Sequence, residues 1–235
     1  MSFPATHVSL LGRVRSTDAE TRARAQEALA AVYWTPIYSH VRLTHRQEPA
    51  DAEDLTQGFF ADAMRRDLFA RYDPARARFR TYVRRCVDSY VANALQAERR
   101  QKRGGALTFV SLDTADAERR LTTTPDLEAE AAFEREWARS IFETALARLR
   151  HHYRDTGRIM PLTMLEAYDL VDDDVRPSYA QLATEHSVPV TRVTNWLAAA
   201  RRDFRSHALE TIRELTSSDE EFRDEVRALL GRALS

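Results

Sequence analysis

Apolar residues recur along most of this chain at intervals of three and four, and nowhere do Val and Ile alternate with polar residues for long. That periodicity predicts helices rather than strands. The first helix is expected to start at Thr17, which stands three residues before Glu20 in a capping-box pattern. It runs through Leu29, Val32 and Tyr33 until Pro36 interrupts or kinks it, and Ile37, Tyr38 and Val41 continue its apolar face. A second helix starts at Pro49 and Asp51, with Asp51 and Asp54 in a first turn where the helix dipole favours acids. Leu55, Phe59, Phe60, Ala63 and Met64 follow at helical spacing, and the segment ends near Tyr72-Asp73-Pro74. A third helix spans Phe79 to Arg103, with Phe79, Val83, Cys86, Val87, Tyr90 and Ala94 on one side and Gly104-Gly105 as its stop.

Residues 106–127 contain Thr122-Thr123-Thr124-Pro125 and no sustained period, which marks them as a linker. Beyond them the pattern predicts an amphipathic helix over 127–153 through Phe133, Trp137, Ile141, Phe142, Ala145 and Leu149. A shorter helix over Leu162–Leu170, an acidic turn at Asp172-Asp173-Asp174, and a helical pair over 178–205 come next. A last amphipathic helix covers Glu220–Leu234, where Val226, Leu229, Leu230 and Leu234 make an apolar stripe in need of a partner. The expected fold is all-α: two small helical domains at 1–105 and 128–216, joined by the linker, with a C-terminal helical extension over 217–235.

Composition agrees with this and narrows the chemistry. The 235 residues are 43% hydrophobic with only six glycines, enough for packed helical cores. Net charge is −1, so charge as a whole says nothing of partners, but its distribution does. Arg76, Arg78, Arg80, Arg84, Arg85, Arg99, Arg100, Lys102 and Arg103 are opposed within their stretch only by Asp88 and Glu98, whereas acids exceed bases after Ser217. Such asymmetry suggests a polyanion-binding face. Cys86 is the single cysteine, which excludes an intramolecular disulfide and a cysteine-rich metal site. There is no signal-peptide pattern and no apolar run near the ~20 residues that span a bilayer, so a cytoplasmic protein without membrane insertion is expected. A glycine-rich phosphate loop, a nucleophile-elbow serine and a His-Glu-x-x-His motif are all missing; the expectation is a non-enzyme with no cofactor and no metal. The adjacent His151 and His152 point to different helix faces and are read as surface residues.

The segment Ser178–Arg205 reads as a helix-turn-helix. Ser178 caps a short helix, Leu182 and Ala183 face inward, His186-Ser187 make the turn, and Val188 anchors it. The second helix starts near Pro189 and buries Val193 with Trp196 or Leu197. Thr191, Arg192, Thr194 and Asn195 are left on its outer face, where a recognition helix presents base-reading groups. Arg and Asn can bond purine edges in the major groove, and Arg201, Arg202 and Arg205 suit phosphates. Taken alone the motif suits a repressor equally well, and Ser187 replaces the usual turn glycine.

Four stretches in order then resemble the extracytoplasmic-function group of the sigma-70 class of bacterial RNA polymerase sigma factors. Tyr33-Trp-Thr-Pro-Ile-Tyr38 is similar to the first helix of that family's N-terminal domain, and Asp51-Ala-Glu-Asp-Leu-Thr-Gln-Gly-Phe-Phe60 to its core-binding helix. Phe79-Arg-Thr-Tyr-Val-Arg84 with the basic run to Arg103 is similar to its promoter-melting and minus-ten-reading helix, and the helix-turn-helix to its minus-thirty-five-reading domain. The resemblance spans roughly residues 20–215. It implies a sigma region 2 type bundle and a region 4 type domain, whose partners are core RNA polymerase, promoter double-stranded DNA and the melted non-template strand, in the bacterial cytoplasm at the nucleoid.

On that resemblance Asp51, Glu53, Asp54, Leu55, Gln57 and Phe59 dock on polymerase. Arg80, Tyr82, Arg84, Arg85, Asn93, Arg99, Arg100, Lys102 and Arg103 meet the minus-ten DNA, by stacking, base contact and backbone neutralisation. Ser178, Thr191, Arg192, Thr194, Asn195, Arg201, Arg202 and Arg205 meet the minus-thirty-five element. The chain departs from the family at Gly58, where an acid is common, at Asp88-Ser89, where Arg-Asn is common, and at Asn93, where Asp is common. Thr56, beside Gly58, is a candidate phosphorylation site that would restore the missing acidity and bring in a Ser/Thr kinase as a partner. An anti-sigma factor and the C-terminal extension are the other candidate regulators. The alternatives are a helix-turn-helix repressor, or a helical adaptor that never engages polymerase.

Overall fold

The computed structural model describes the backbone of residues 9–101 and 129–233, with side chains over 9–97 and 131–229. Among the described residues the chain is all-helical, with nine α-helices and no strand. They are α1 (Leu10–Arg13), α2 (Ala19–Thr44), α3 (Pro49–Arg65), α4 (Phe79–Gln101), α5 (Ala129–Asp155), α6 (Ile159–Tyr168), α7 (Tyr179–Glu185), α8 (Val190–Glu214) and α9 (Asp219–Ala233), with a 3-10 turn at Leu68–Arg71. The expected linker over 106–127 lies outside the described residues, as do Lys102 and Arg103 and the side chains of Arg99, Arg100 and Leu230. No described helix is long and apolar enough to cross a membrane.

The chain forms two compact units. One holds residues up to Ser140 together with 212–235, and the other Ile141–Thr211. The division therefore falls inside α5 and α8, rather than within 106–127. The first part of α5 goes with the first unit because Phe133 meets the His40 ring edge-on at 5.8 Å and Trp137 lies under the Arg80 guanidinium at 4.7 Å.

In the first unit α2 starts one residue later than expected. Asp18 caps it, accepting from the Thr21 N–H at 2.8 Å. The helix continues through Pro36 to Thr44. A proline inside a helix costs ~3 kcal/mol. Val32, Tyr33, Ile37, Tyr38 and Val41 are all buried around it, at about 1.5–3 kcal/mol for a large apolar side chain, so tertiary packing overrides the break. α3 ends at Arg65, earlier than the pattern predicts; Asp67 then turns the chain with φ 49° into the 3-10 turn. Its inward face is Ala52, Thr56, Phe59, Phe60 and Ala63, so Leu55 and Met64 sit half-exposed at its edges. α4 buries Phe79, Val83, Val87 and Val91, with Phe79 edge-on to Tyr33 at 5.6 Å and to Tyr72 at 5.1 Å.

The C-terminal helix α9 belongs to this unit, and its acids serve the start of α4. Glu221 accepts from the Phe79 backbone N–H (2.9 Å), the Tyr72 hydroxyl (3.0 Å) and both the N–H and hydroxyl of Ser217 (2.8 Å each). Phe79 N–H is one of the donors that a helix start leaves without an intrahelical partner, and it is satisfied here from 142 residues away. Asp224 pairs with Arg78 at 3.0 Å, and Arg213 lies over the Phe222 ring at 3.9 Å. Of the apolar stripe of this helix, Leu229 is buried and Val226 half-buried, while Leu234 lies outside the described residues.

The second unit has two adjoining clusters. Leu149, Tyr153, Leu162, Leu165 and Ala200 form one, and Met164, Leu182, Ala183, Val193 and Leu197 the other. Val188 and Trp196 cover the second cluster as the sequence suggests. Three polar ties brace it: Tyr153 hydroxyl to Asp203 at 2.8 Å, Arg150 to Glu166 at 2.7 Å, and both ends of the Asp169 carboxylate to Arg201 at 2.8 and 2.7 Å.

Candidate nucleic-acid interface

In the second unit α7 and α8 are joined by a tight turn. Ser178 caps α7, accepting from the Gln181 N–H at 3.2 Å while the Gln181 side chain accepts from the Ser178 N–H at 2.7 Å. Ser187 holds φ 52°, the left-handed region in which a β-carbon costs roughly 1–2 kcal/mol. The Val188 N–H then reaches back to the Ala183 carbonyl at 2.9 Å, closing the turn over the buried Ala183.

Thr191, Arg192, Thr194 and Asn195 all lie on the exposed face of α8's first turns, opposite the buried Val193 and Leu197. The Arg192 guanidinium lies over the Trp196 ring at 5.5 Å, which steadies its stem while leaving it at the surface. Arg205 is exposed too. Arg201 is differently placed. Its bidentate pair with Asp169, and a Tyr168 ring at 5.6 Å, hold it against the end of α6; the Asp169 hydrogen bonds raise its pKa further. It braces α8 while its side chain stays 46% exposed, and Arg202, also exposed, pairs with the adjacent Asp203 at 3.3 Å. Ser178 is committed to its cap.

In the first unit a groove of about 730 Å³ runs along α4, the end of α3 and the 3-10 turn. Arg66, Arg71, Arg76 and Arg85 line it with Tyr82, Tyr90, Asn93 and Cys86; Asp62 and Asp73 line it too, paired with Arg66 at 2.9 Å and Arg76 at 3.3 Å. Tyr82 is half-buried, donates to the Leu68 carbonyl at 2.9 Å and has its pKa pushed up to about 12, chiefly by burial. Burial also pushes the Cys86 thiol up, so it stays protonated at neutral pH. Arg85 and Asn93 are exposed beside these rings. Cations, aromatic edges and an amide in one trough can hold a phosphate backbone and an unstacked base. Arg66, Arg71 and Tyr90 were missed by sequence reasoning as groove residues, whereas Arg76 was counted in the basic run; Arg66 and Arg71 precede α4, and only the fold brings them beside it.

Arg80 is not in this trough. It is 8% exposed, 2.5 Å from Glu134 and 3.2 Å from Glu225, with Trp137 beneath it. A buried guanidinium so enclosed holds α4, α5 and α9 together and is unavailable to DNA in this conformation. Glu225 reaches Arg80 through one carboxylate oxygen while the other has no hydrogen-bond partner, and burial raises its pKa.

On α3, Asp51 and Asp54 are exposed and Glu53, Leu55 and Gln57 are half-buried, making an acidic and apolar edge. Phe59 is buried in the core and backs this edge without reaching it. Thr56 is 0% exposed, and its hydroxyl donates to the Ala52 carbonyl at 2.7 Å. A kinase cannot reach it in the folded helix, so it drops out as a modification site. Gly58 lies under the Tyr90 hydroxyl: a β-carbon there would overlap it, with the ring's Cζ at 3.3 Å, so Tyr90 would have to shift to admit the expected acid.

The structure thus defines an all-helical chain with a capped helix-turn-helix in one unit and a basic, aromatic groove in the other. Comparison of the chain with protein families, with characterised proteins and with solved structures gives no match.

Proposed function

We propose that this chain is an alternative sigma factor of the extracytoplasmic-function type. It docks on core RNA polymerase through the Asp51, Glu53, Asp54, Leu55 and Gln57 edge of α3. It holds the minus-ten region in the groove beside α4, with Tyr82, Arg85 and Asn93 at its wall, and reads the minus-thirty-five element with Thr191, Arg192, Thr194 and Asn195. The observation that supports this reading is the occurrence of two distinct surfaces suited to DNA in one chain: exposed polar side chains on the second helix of a helix-turn-helix, and a separate trough of arginines, tyrosines and an amide. Two weak DNA modules in one chain gain through effective concentration. A repressor needs only the first.

The docking edge is tested by charge reversal. Asp51→Lys with Asp54→Lys, both exposed and outside the core, should weaken core polymerase binding at least tenfold in fluorescence anisotropy while leaving helicity unchanged. Equal affinity would remove α3 as the docking element. A dimer that binds a palindromic site without polymerase would instead establish the repressor reading.

A further inference from the structure

We propose that His40, His45 and Asp88 form a transition-metal site of the zinc class, clamping the end of α2 to the middle of α4. His40 is on the penultimate turn of α2 and His45 is the residue that caps that helix. Their Nε2 atoms approach the same Asp88 oxygen, at 2.7 and 2.9 Å, and one donor atom from each residue lies within 4.8 Å of the other two.

Two imidazole nitrogens and one carboxylate oxygen suit Zn²⁺, Co²⁺ or Ni²⁺, and not Ca²⁺ or Mg²⁺, which want more oxygens. Tetrahedral bonds of about 2.0–2.1 Å set donor atoms roughly 3.3 Å apart. Each histidine–carboxylate separation therefore has to widen by about half an ångström from its present hydrogen bond to admit the ion. Side-chain exposure falls from 43% at Asp88 to 17% at His45 and 5% at His40, so the site is closed on one side and open to solvent on the other. That leaves room for water as fourth ligand.

The surroundings also fit a ligand set. Thr44 holds the far nitrogen of His40 at 3.0 Å, the outer partner that a metal-bound imidazole requires. The Phe133 edge packs against the His40 ring at 5.8 Å and fixes its plane. On binding, the Nε2 hydrogens of His40 and His45 are each relocated to Nδ1 of the same ring, and the Thr44 oxygen accepts that of His40. Arg84, on α4, opposes a cation here through its own charge, which acts on His40. Asp88 is also a position where the sigma resemblance expects a basic residue, and a ligand role gives the acid a reason to be there. The site does not depend on the sigma reading.

The test uses the untagged full chain, stripped with chelator and titrated with Co²⁺. One equivalent should give the visible d–d absorption of a four-coordinate ion, and Zn²⁺ should displace it. His45→Ala and Asp88→Asn should each lower affinity more than tenfold, and Thr44→Val about tenfold. His45 and Asp88 are chosen because they are less buried than His40, and circular dichroism checks their helicity. If the wild type binds Co²⁺ no more tightly than the His45→Ala/Asp88→Asn double variant, the surface histidines account for all the binding and the site is overturned.

Discussion

Replacing Arg80 with methionine keeps an unbranched side chain of similar reach but deletes the cation between Glu134 and Glu225 and over Trp137. Removing one partner of a buried ion pair costs about 3–5 kcal/mol, because the remaining charge is stranded. Two effects push this case to the lower end. Burial already raises the Glu225 pKa, which eases its neutralisation once the cation is gone, and methionine still covers the Trp137 ring. Arg80→Met should therefore destabilise the first unit by about 3 kcal/mol, a drop of roughly 6–12 °C in its midpoint. Adding Glu225→Met should recover part of the loss by removing the stranded acid. Trp34 and Trp137 both lie in the first unit and Trp196 in the second. Tryptophan emission in a Trp196→Phe background therefore follows the relevant unit during urea unfolding. A stability within about 0.5 kcal/mol of the parent, the range of ordinary surface substitutions, together with lost DNA binding, would refute the structural role and return Arg80 to the DNA-facing set.

Three other outcomes follow from single positions. Gly58→Ala should gain little alone, because Tyr90 must move, but relative to Tyr90→Phe it should recover up to about 1 kcal/mol of helix propensity; additive effects in the double-mutant cycle of thermal unfolding would contradict the close approach. Ser187→Gly should stabilise the second unit by about 0.5–1 kcal/mol in denaturant titration, since glycine occupies φ 52° without strain but loses more entropy on folding, and no gain would argue against the left-handed turn. Glu225 has a folded pKa raised above 4.5, so its contribution is present below that value and declines as pH rises through the folded pKa. Glu225→Gln cannot ionise, so its stability relative to wild type should climb as pH goes from about 4.5 toward neutrality, and a falling difference would reverse the assignment.

The helices were legible because their apolar spacing is local. Val83, Val87 and Val91 bury at four-residue intervals, and the α8 face read from Val193 and Leu197 leaves Thr191, Arg192, Thr194 and Asn195 outward as the pattern implies. Side chains whose partners come from distant helices were not legible. Arg80 sits in a run of arginines, and nothing nearby distinguishes it; the acids that enclose it lie on α5 and α9. Thr56 looked like an exposed polar residue, yet it follows Ala52 by one turn and shares its inward stripe. Leu55, beside it, was placed at helical spacing with Phe59 and in the docking set; it is half-exposed, whereas Phe59 is buried. The histidines were considered only as the neighbours His151 and His152, whereas the pair that converges, His40 and His45, meets Asp88 from a different helix. Gly58 and Asp88 were both visible as departures from the sigma pattern. Each now has a cause across the α3–α4 or α2–α4 contact, with Tyr90 in one case and two histidines in the other.

The most direct test of the proposed function is run-off transcription with purified core polymerase across a library of randomised promoters. The account predicts transcripts only when the chain is added, from templates enriched for two separated motifs. It also predicts that the transcripts are lost on charge reversal of Asp51 and Asp54 and shifted in upstream sequence by Arg192→Ala. No promoter-specific transcript from any template, with a chain that still folds, would contradict it.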